Sequence, residues 1–182
     1  MRLSLANGKT VTVRHFEPGD SSRLLNYLVR LSAESRSRFG PHAFDQQTIG
    51  AFSTLPDNTI QRFIALDETG EGIIAYMLVK RGLIEHDQQR YGQRNLFYDY
   101  NTTVTYAPSV ADDWQSSGLG TAMHKIIEEE LIKQGVRQII LWGGVQASNE
   151  KALNFYKKNG YHFIASFWHD GKDNYDMVKE IT

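Results

Sequence analysis

The chain has 182 residues, 41% apolar and 23% charged, with a formal net charge of −1. That suits one globular domain with a sizeable core, spanning residues 1–182, and lies outside the disordered range. A near-neutral chain has no global field to recruit nucleic acid or a membrane, and the absence of cysteine excludes disulfides, thiolate nucleophiles and Cys-based metal sites.

The opening stretch MRLSLANGKTVTVRHF has no apolar leader, and no apolar run approaches a membrane span, which predicts a cytoplasmic protein. Leu3 and Leu5 alternate toward Asn7-Gly8, followed by Val11 and Val13; Asn-Gly between alternating runs predicts a hairpin. PGDSSRLLNYLVRLS reads as a helix with Asp20 as N-cap and Leu24, Leu28 and Leu31 at helical spacing. AESRSRFGPHAF reads as a loop, after which Asp45 opens a short helix through Ile49 and Phe52. IQRFIALD and GIIAYMLVKRGLI predict strands around the turn ETGEG. EHDQQRYGQ is polar and reads as a loop. NLFYDYNTTVTYA, rich in β-branched and aromatic residues, predicts one long strand.

A helix carrying Leu119, Met123, Ile126, Ile127 and Leu131 on one face follows, closed by Gly135. VRQIILWGGV is almost wholly apolar, as a strand buried on both faces should be. NEKALNFYKKNGY is a short helix with Lys157 and Lys158 in its last turn. YHFIASFW and NYDMVKEI make a final hairpin around HDGKD. The order ββααβββαβαββ is that of a mixed α/β (α+β) domain.

The stretch that carries chemistry is DDWQSSGLG, Asp112 to Gly120, between a strand ending near Ala111 and the helix that begins near Gly118. The first amides of a helix lack intrahelical partners and carry the positive end of its dipole, about +0.5 charge. Gly118 and Gly120 remove side chains that would hold an anion off those amides, which makes a phosphate the natural occupant. A Walker loop would need Lys and Ser/Thr after its last glycine, where Thr121 and Ala122 stand, and the dinucleotide fingerprint would need a third glycine. Both are excluded. Glycines that only permit a tight turn fit these residues equally well.

The run Val110-Ala111-Asp112-Asp113-Trp114-Gln115-Ser116-Ser117-Gly118-Leu119-Gly120 resembles the acyl-CoA signature of the GCN5-related N-acetyltransferases (GNAT), Q/R-x-x-G-x-G/A after an apolar strand. NEKALNFYKKNGY is similar to that superfamily's second signature, and LSAESRSRFG to the loop between the first two helices of many bacterial members. The resemblance implies a mixed, mostly antiparallel central sheet of about six to seven strands flanked by about four helices. It also implies acetyl-CoA as donor substrate, with Val110, Asp112, Gln115, Ser116, Ser117, Gly118, Leu119, Gly120, Thr121, Asn149 and Tyr156 as cofactor-binding residues. Many members place Arg or Lys between the Gln and the first glycine; here Ser116 and Ser117 stand there, which implies either a modest CoA affinity or charge supplied from elsewhere by Lys125, Lys151 or Lys157.

Transfer of an acetyl group to an amine needs a neutral nucleophile, donors for the oxyanion and a proton for the leaving thiolate. The resemblance places the acid at Tyr156, although a core aromatic also fits that helix. Asn149 is explained as a cap as well as by a cofactor contact. For the base, relatives often use a Glu on the strand before the loop, where this chain offers only Asp99. Glu85 and His86 read as surface residues. The histidines, His124 among them, have no ligand spacing, so no metal is expected, and His124 reads as a polar-face residue. Glu128, Glu129 and Glu130 read as an exposed helix face. The absence of Cys implies direct transfer from acetyl-CoA to a primary amine, of a small molecule or of a protein lysine or N-terminus. A longer acyl donor, a hydroxyl acceptor and a non-catalytic acyl-CoA-sensing module are the competing readings. Acceptor recognition is expected from the first two helices, their loop from Ser32 to Phe44, and the segment from Glu85 to Arg94. No nucleic-acid or membrane partner is expected, and a homodimer is compatible with the sequence.

Overall fold

The structure, a computed structural model, describes every residue from Met1 to Thr182. It has nine strands and six α-helices: β1 Arg2–Ser4, β2 Thr10–His15, α1 Ser21–Arg30, α2 Ala33–Ser37, α3 Gln46–Thr54, β3 Ile60–Leu66, β4 Ile73–Arg81, α4 Glu85–Gly92, β5 Thr103–Val110, α5 Leu119–Lys133, β6 Gln138–Leu141, β7 Val145–Gln146, α6 Glu150–Lys158, β8 His162–His169 and β9 Lys172–Glu180. The mixed, mostly antiparallel architecture is as expected, with more strands and helices than the resemblance implied. The chain forms two compact units: Met1–Leu78 with Ala107–Lys125, and Val79–Tyr106 with Ile126–Thr182.

In the first unit the strands pair in the order β1-β2-β3-β4-β5. The Asn7-Gly8 hairpin forms, with Gly8 at φ 82 and Arg2 opposite Thr12. α1 buries Leu24, Tyr27, Leu28 and Leu31, the spacing of one helical face. β4 is a nearly unbroken buried run from Ile73 to Val79, as a central strand covered on both faces should be. Asp20 precedes α1 but makes no side-chain cap. Its buried carboxylate accepts two bonds from Arg14, at 2.6 and 2.8 Å, and one from the Glu17 amide, and it pairs with Arg23. Asp45 does cap α3, accepting from the Thr48 amide at 2.8 Å.

In the second unit β5 pairs parallel with β6, and β6 antiparallel with β9. β7 and β8 also pair with β9; since Tyr175 faces both Val145 and Ser166, they lie on opposite edges. The run VRQIILWGGV is not one strand. Gly143 and Gly144 take left-handed φ of 64 and 71 and separate β6 from β7. A Cβ on Gly144 would stand 2.8 Å from the Tyr175 carbonyl and from the Phe167 ring, so this glycine serves the approach of the chain to itself.

EHDQQRYG is a helix, α4, and AESRS is another, α2. Both are too polar and short for an apolar period. α4 is held by charge: the buried Arg90 donates to Asp176 at 2.7 and 2.9 Å and to Asp87 at 2.7 Å. Asp87 also accepts from the Gly143 amide at 2.9 Å, and Phe167 stacks on the guanidinium at 3.8 Å. The expected strand over NLFYDYNTTVTYA begins only at Thr103, because residues 93–102 form turns and irregular chain. Glu128, expected on an exposed face, is half-buried and pairs with Lys179. No helix is long and apolar enough to cross a membrane.

Arg90→Ala would leave Asp87 without a cation and Asp176 with only Arg94, at 3.6 Å; both carboxylates are 0% exposed. The expected loss is about 3–5 kcal/mol of unfolding free energy, measured by urea titration.

Candidate functional site

The site begins with the hydrogen-bond direction of β5. The Ala111 amide donates to the Ile74 carbonyl of β4 at 2.9 Å. Neighbouring residues of an antiparallel strand aim their polar groups at opposite edges, so Val110 faces away from β4. β6 pairs with β5 only along Thr103–Tyr106, and the edge offered by Ala107–Val110 carries no strand. On it, the Val110 carbonyl accepts from Gln115 Nε2 at 3.3 Å.

After β5 comes a single 3-10 turn, Asp112–Trp114, which places the Asp112 backbone outside the strand. Ser116 and Gly118 then adopt left-handed φ of 62 and 87, so the chain reverses sharply before α5. The amides of Ser116, Gly118, Gly120 and Thr121 meet no protein acceptor. Two neighbours are used internally: Ser117 N–H donates to the Trp114 carbonyl at 3.4 Å, and Leu119 N–H to Ser117 Oγ at 3.3 Å. The Ser117 hydroxyl itself donates to the Trp114 carbonyl at 2.6 Å, which removes it as a donor to an anion. Leu119 is buried and anchors the first turn of α5. A Cβ on Gly118 would meet nothing within 4 Å, so its surface is open.

The Asp112 carboxylate is fully engaged. It accepts from the Ser32 amide and hydroxyl, each at 2.9 Å, and from Ser35 Oγ at 2.6 Å. Gln115 Nε2 reaches the same Ser35 hydroxyl at 3.4 Å. Its partial burial opposes ionisation, but the bonds from Ser35 and Ser32 outweigh it and hold its pKa below the usual value. Lys9, missed by sequence reasoning, places its ammonium 4.3 Å above the Trp114 ring. It lies in the β1–β2 turn, more than a hundred positions away, so no local signal could have found it. His124 is 1% exposed and does not occupy a polar face.

The structure thus gathers Val110, Asp112, Gln115, Ser116, Ser117, Gly118, Leu119, Gly120 and Thr121 in the first unit. Asn149, Tyr156 and Asp99 belong to the second. There Asn149 caps α6, its side chain accepting from the Ala152 amide at 3.2 Å. Tyr156 is buried and packs edge-on against Tyr161, centroids 5.2 Å apart; burial raises its pKa above that of an ordinary phenol. Asp99 is exposed in the turn before β5, where it accepts from the Asn101 amide at 2.7 Å.

Residues 25–161 match the model of the acetyltransferase (GNAT) family. The chain belongs to that family. Solved structures similar to it include the GNAT domain of PAT from S. lividans, 19% identical over 100% of this chain and 96% of that one, TM-score 0.78. A GNAT-family acetyltransferase from Streptococcus pneumoniae is 19% identical over 94% of this chain and 99% of that one, TM-score 0.70. AAC(6')-Ib in complex with ribostamycin and coenzyme A is 19% identical over 93% of each chain, TM-score 0.70. No curated relative matches the chain by sequence.

The Asp112 clamp in this GNAT chain is pH-dependent in a known direction. Its folded pKa is depressed, so the clamp is complete above the ordinary carboxylate value of about 3.9 and is lost as pH falls through the lower folded value. Asp112→Asn should speed amide exchange at Ser32 about tenfold at neutral pH, the scale of one lost charged hydrogen bond, in a hydrogen-exchange measurement. Gly118→Ala forces a side chain into left-handed φ and should destabilise the protein by about 1–2 kcal/mol, seen as a lower Tm.

Proposed function

We propose that this protein moves an acetyl group from acetyl-CoA to a primary amine by direct transfer, with residues 1–182 acting as one catalytic domain. The observation that carries the reading is the set of unpartnered amides at Ser116, Gly118, Gly120 and Thr121 beside an open Gly118. A diphosphate satisfies such donors and is favoured by the helix dipole behind them. The unpaired edge of Ala107–Val110 supplies backbone groups for an amide-bearing pantetheine arm, as an added strand would. The Val110 N–H on that edge is the proposed oxyanion donor, a contribution typically worth about 3 kcal/mol.

Lys9 gives the loop a cation in place of the Arg or Lys that many relatives carry within it. Asp112 contributes through its clamp on the loop and not by touching phosphate, since its acceptor oxygens are already filled. Asn149 and Tyr156, in the second unit, are proposed cofactor residues on the resemblance of their helix alone. Tyr156 is the proposed acid on the resemblance of its helix; burial raises its pKa and so keeps the phenol protonated at neutral pH, the form a proton donor requires. Asp99 receives no role as base, because its carboxylate secures a turn; an acceptor that arrives neutral needs no carboxylate.

Calorimetry with acetyl-CoA and CoA, paired with thiol release over an amine panel, tests this reading. Tyr156→Phe, which keeps the ring and removes only the hydroxyl, should change acetyl-CoA affinity far less than it slows thiol release, which should fall about a hundredfold. Tight binding without turnover of any amine would instead mark a sensing module, and absence of binding would remove the acyl-CoA site altogether.

A further inference from the structure

The first unit holds a second group of polar atoms that the proposed chemistry does not use. The connection from α2 to α3 carries Phe39, His42 and Phe44. Around the His42 ring stand Phe52 of α3 at 5.0 Å, Tyr76 of β4 at 5.7 Å, and Phe39 and Phe44 each at 6.0 Å. Arg62 of β3 lies on the Phe52 ring, 3.8 Å from its centroid. Within this aromatic group His42 Nε2, Arg62 Nε and the Tyr76 hydroxyl are buried with no partner at full hydrogen-bond geometry; the Arg62 guanidinium interacts with the Tyr76 hydroxyl, so these two groups face the same point. A buried polar atom left unpaired costs about 1–3 kcal/mol. Such atoms gathered in one aromatic group call for an explanation, and an absent ligand supplies one.

The chemistry of that occupant can be read from the atoms. His42 Nδ1 lies 2.9 Å from the Ala43 carbonyl. A carbonyl only accepts, so Nδ1 carries the proton and Nε2 presents a lone pair. Burial, reinforced by Arg62 and opposed by the Ala43 carbonyl and Asp45, keeps the ring neutral by lowering its pKa. Arg62 Nε and the Tyr76 hydroxyl are donors. The pocket therefore asks for an N–H on one side and an oxygen acceptor on the other, between apolar ring faces.

The pocket is also close to the strand edge assigned to the thioester. The bond from Ala111 N–H to the Ile74 carbonyl sets the register of β4 against β5 and puts Tyr76 opposite Ser109. Directly opposed residues have Cβ atoms about 5 Å apart. Ser109 in turn shares a 2.7 Å hydrogen bond with Tyr27, which fixes this part of the wall.

We infer that His42, Arg62 and Tyr76 form the acceptor subsite, and that it selects an amine bearing a carboxylate or carbonyl oxygen on the adjacent carbon, as in a free α-amino acid or a peptide N-terminus. The inference rests on the acetyltransferase reading above and narrows its acceptor. His42 Nε2 takes one N–H of the neutral amine, leaving the nitrogen lone pair for attack, while Arg62 and Tyr76 bind the oxygen.

The test measures thiol release at saturating acetyl-CoA with alanine, trialanine and 1,5-diaminopentane, an amine without oxygen. Turnover of alanine marks a free amino acid and turnover of trialanine a peptide N-terminus; either, with diaminopentane at least about tenfold poorer in kcat/KM, supports the subsite. His42→Phe keeps the ring packing but removes the lone pair. It should raise KM for the preferred acceptor about tenfold with little change in kcat, and His42→Gln, which restores an acceptor oxygen, should recover part of the loss. Acetyl-CoA affinity by calorimetry should be the same in all three proteins, which shows that the variants fold. Equal or better turnover of diaminopentane, or an unchanged KM in His42→Phe, overturns the inference. If the wild-type chain binds no acetyl-CoA or turns over no amine, the acetyltransferase reading fails separately, and the histidine nitrogen spectrum decides. A shift of the His42 Nε2 resonance on titration with alanine or trialanine supports the subsite, and no shift with either overturns it.

Discussion

The constraint on which the first unit turns is the hydrogen-bond ledger of the backbone at the end of β5. A folded chain leaves very few main-chain donors without an acceptor. Here β6 stops pairing with β5 at Tyr106, and the amides of Ser116, Gly118, Gly120 and Thr121 follow unpaired. The left-handed turns at Ser116 and Gly118 hold the loop in this shape, and at Ser116 a non-glycine residue bears the strain, on the order of 1–3 kcal/mol. Strain of that kind persists only where the surroundings dictate it. The surroundings are specific: Ser117 staples the loop to Trp114, Gln115 ties it back to Val110, and buried Leu119 anchors the helix.

Those features were legible in the sequence to different degrees. Glycines at 118 and 120 ahead of an amphipathic run announce a helix entry with bare amides, and the structure keeps that arrangement. The Asn-Gly hairpin, the Asp45 cap and the leucine face of α1 were equally plain, because each depends on residues a few positions apart. Ser116 and Ser117 were read as possible donors to phosphate, yet only the structure reveals that Ser117 spends its hydroxyl on the Trp114 carbonyl. Asp112 read as a cofactor-binding residue by resemblance; in the fold its carboxylate accepts from Ser32 and Ser35, some eighty residues earlier.

What stayed hidden depends on distance along the chain. α4 reads as a solvated loop because Asp87 and Arg90 are polar, and their burial makes sense only with Asp176 present eighty-six positions later. Lys9 reaches Trp114 from the first hairpin. His124 reads as a polar-face residue because its ring is polar, but tertiary packing buries it while Lys125 and Glu129 stay exposed. The run after Val136 looked like one buried strand because its residues are apolar; Gly143 and Gly144 break it because the chain must pass within contact of Tyr175 and Phe167. In each case local pattern predicted local structure, and a partner from elsewhere reversed the exposure or the boundary.

The same long-range logic links the two ends of the proposed reaction within the first unit. Ser32 and Ser35 hold Asp112 at the start of α2, and Ser32 also caps that helix through the Ser35 amide at 3.1 Å. α2 spans only Ala33–Ser37, and Phe39 and His42 follow it directly. A helix of five residues is too short to be stable alone, so its position is set by what it is tied to at each end. At one end that is the carboxylate beside the loop proposed to hold a diphosphate; at the other it is the aromatic group with the lone pair of His42. Displacing Asp112 therefore alters the origin from which the proposed acceptor subsite is built. The Ser35 hydroxyl, shared between Asp112 and Gln115, is the narrowest point of that connection, since it touches the cofactor loop through one residue and the strand edge through the other.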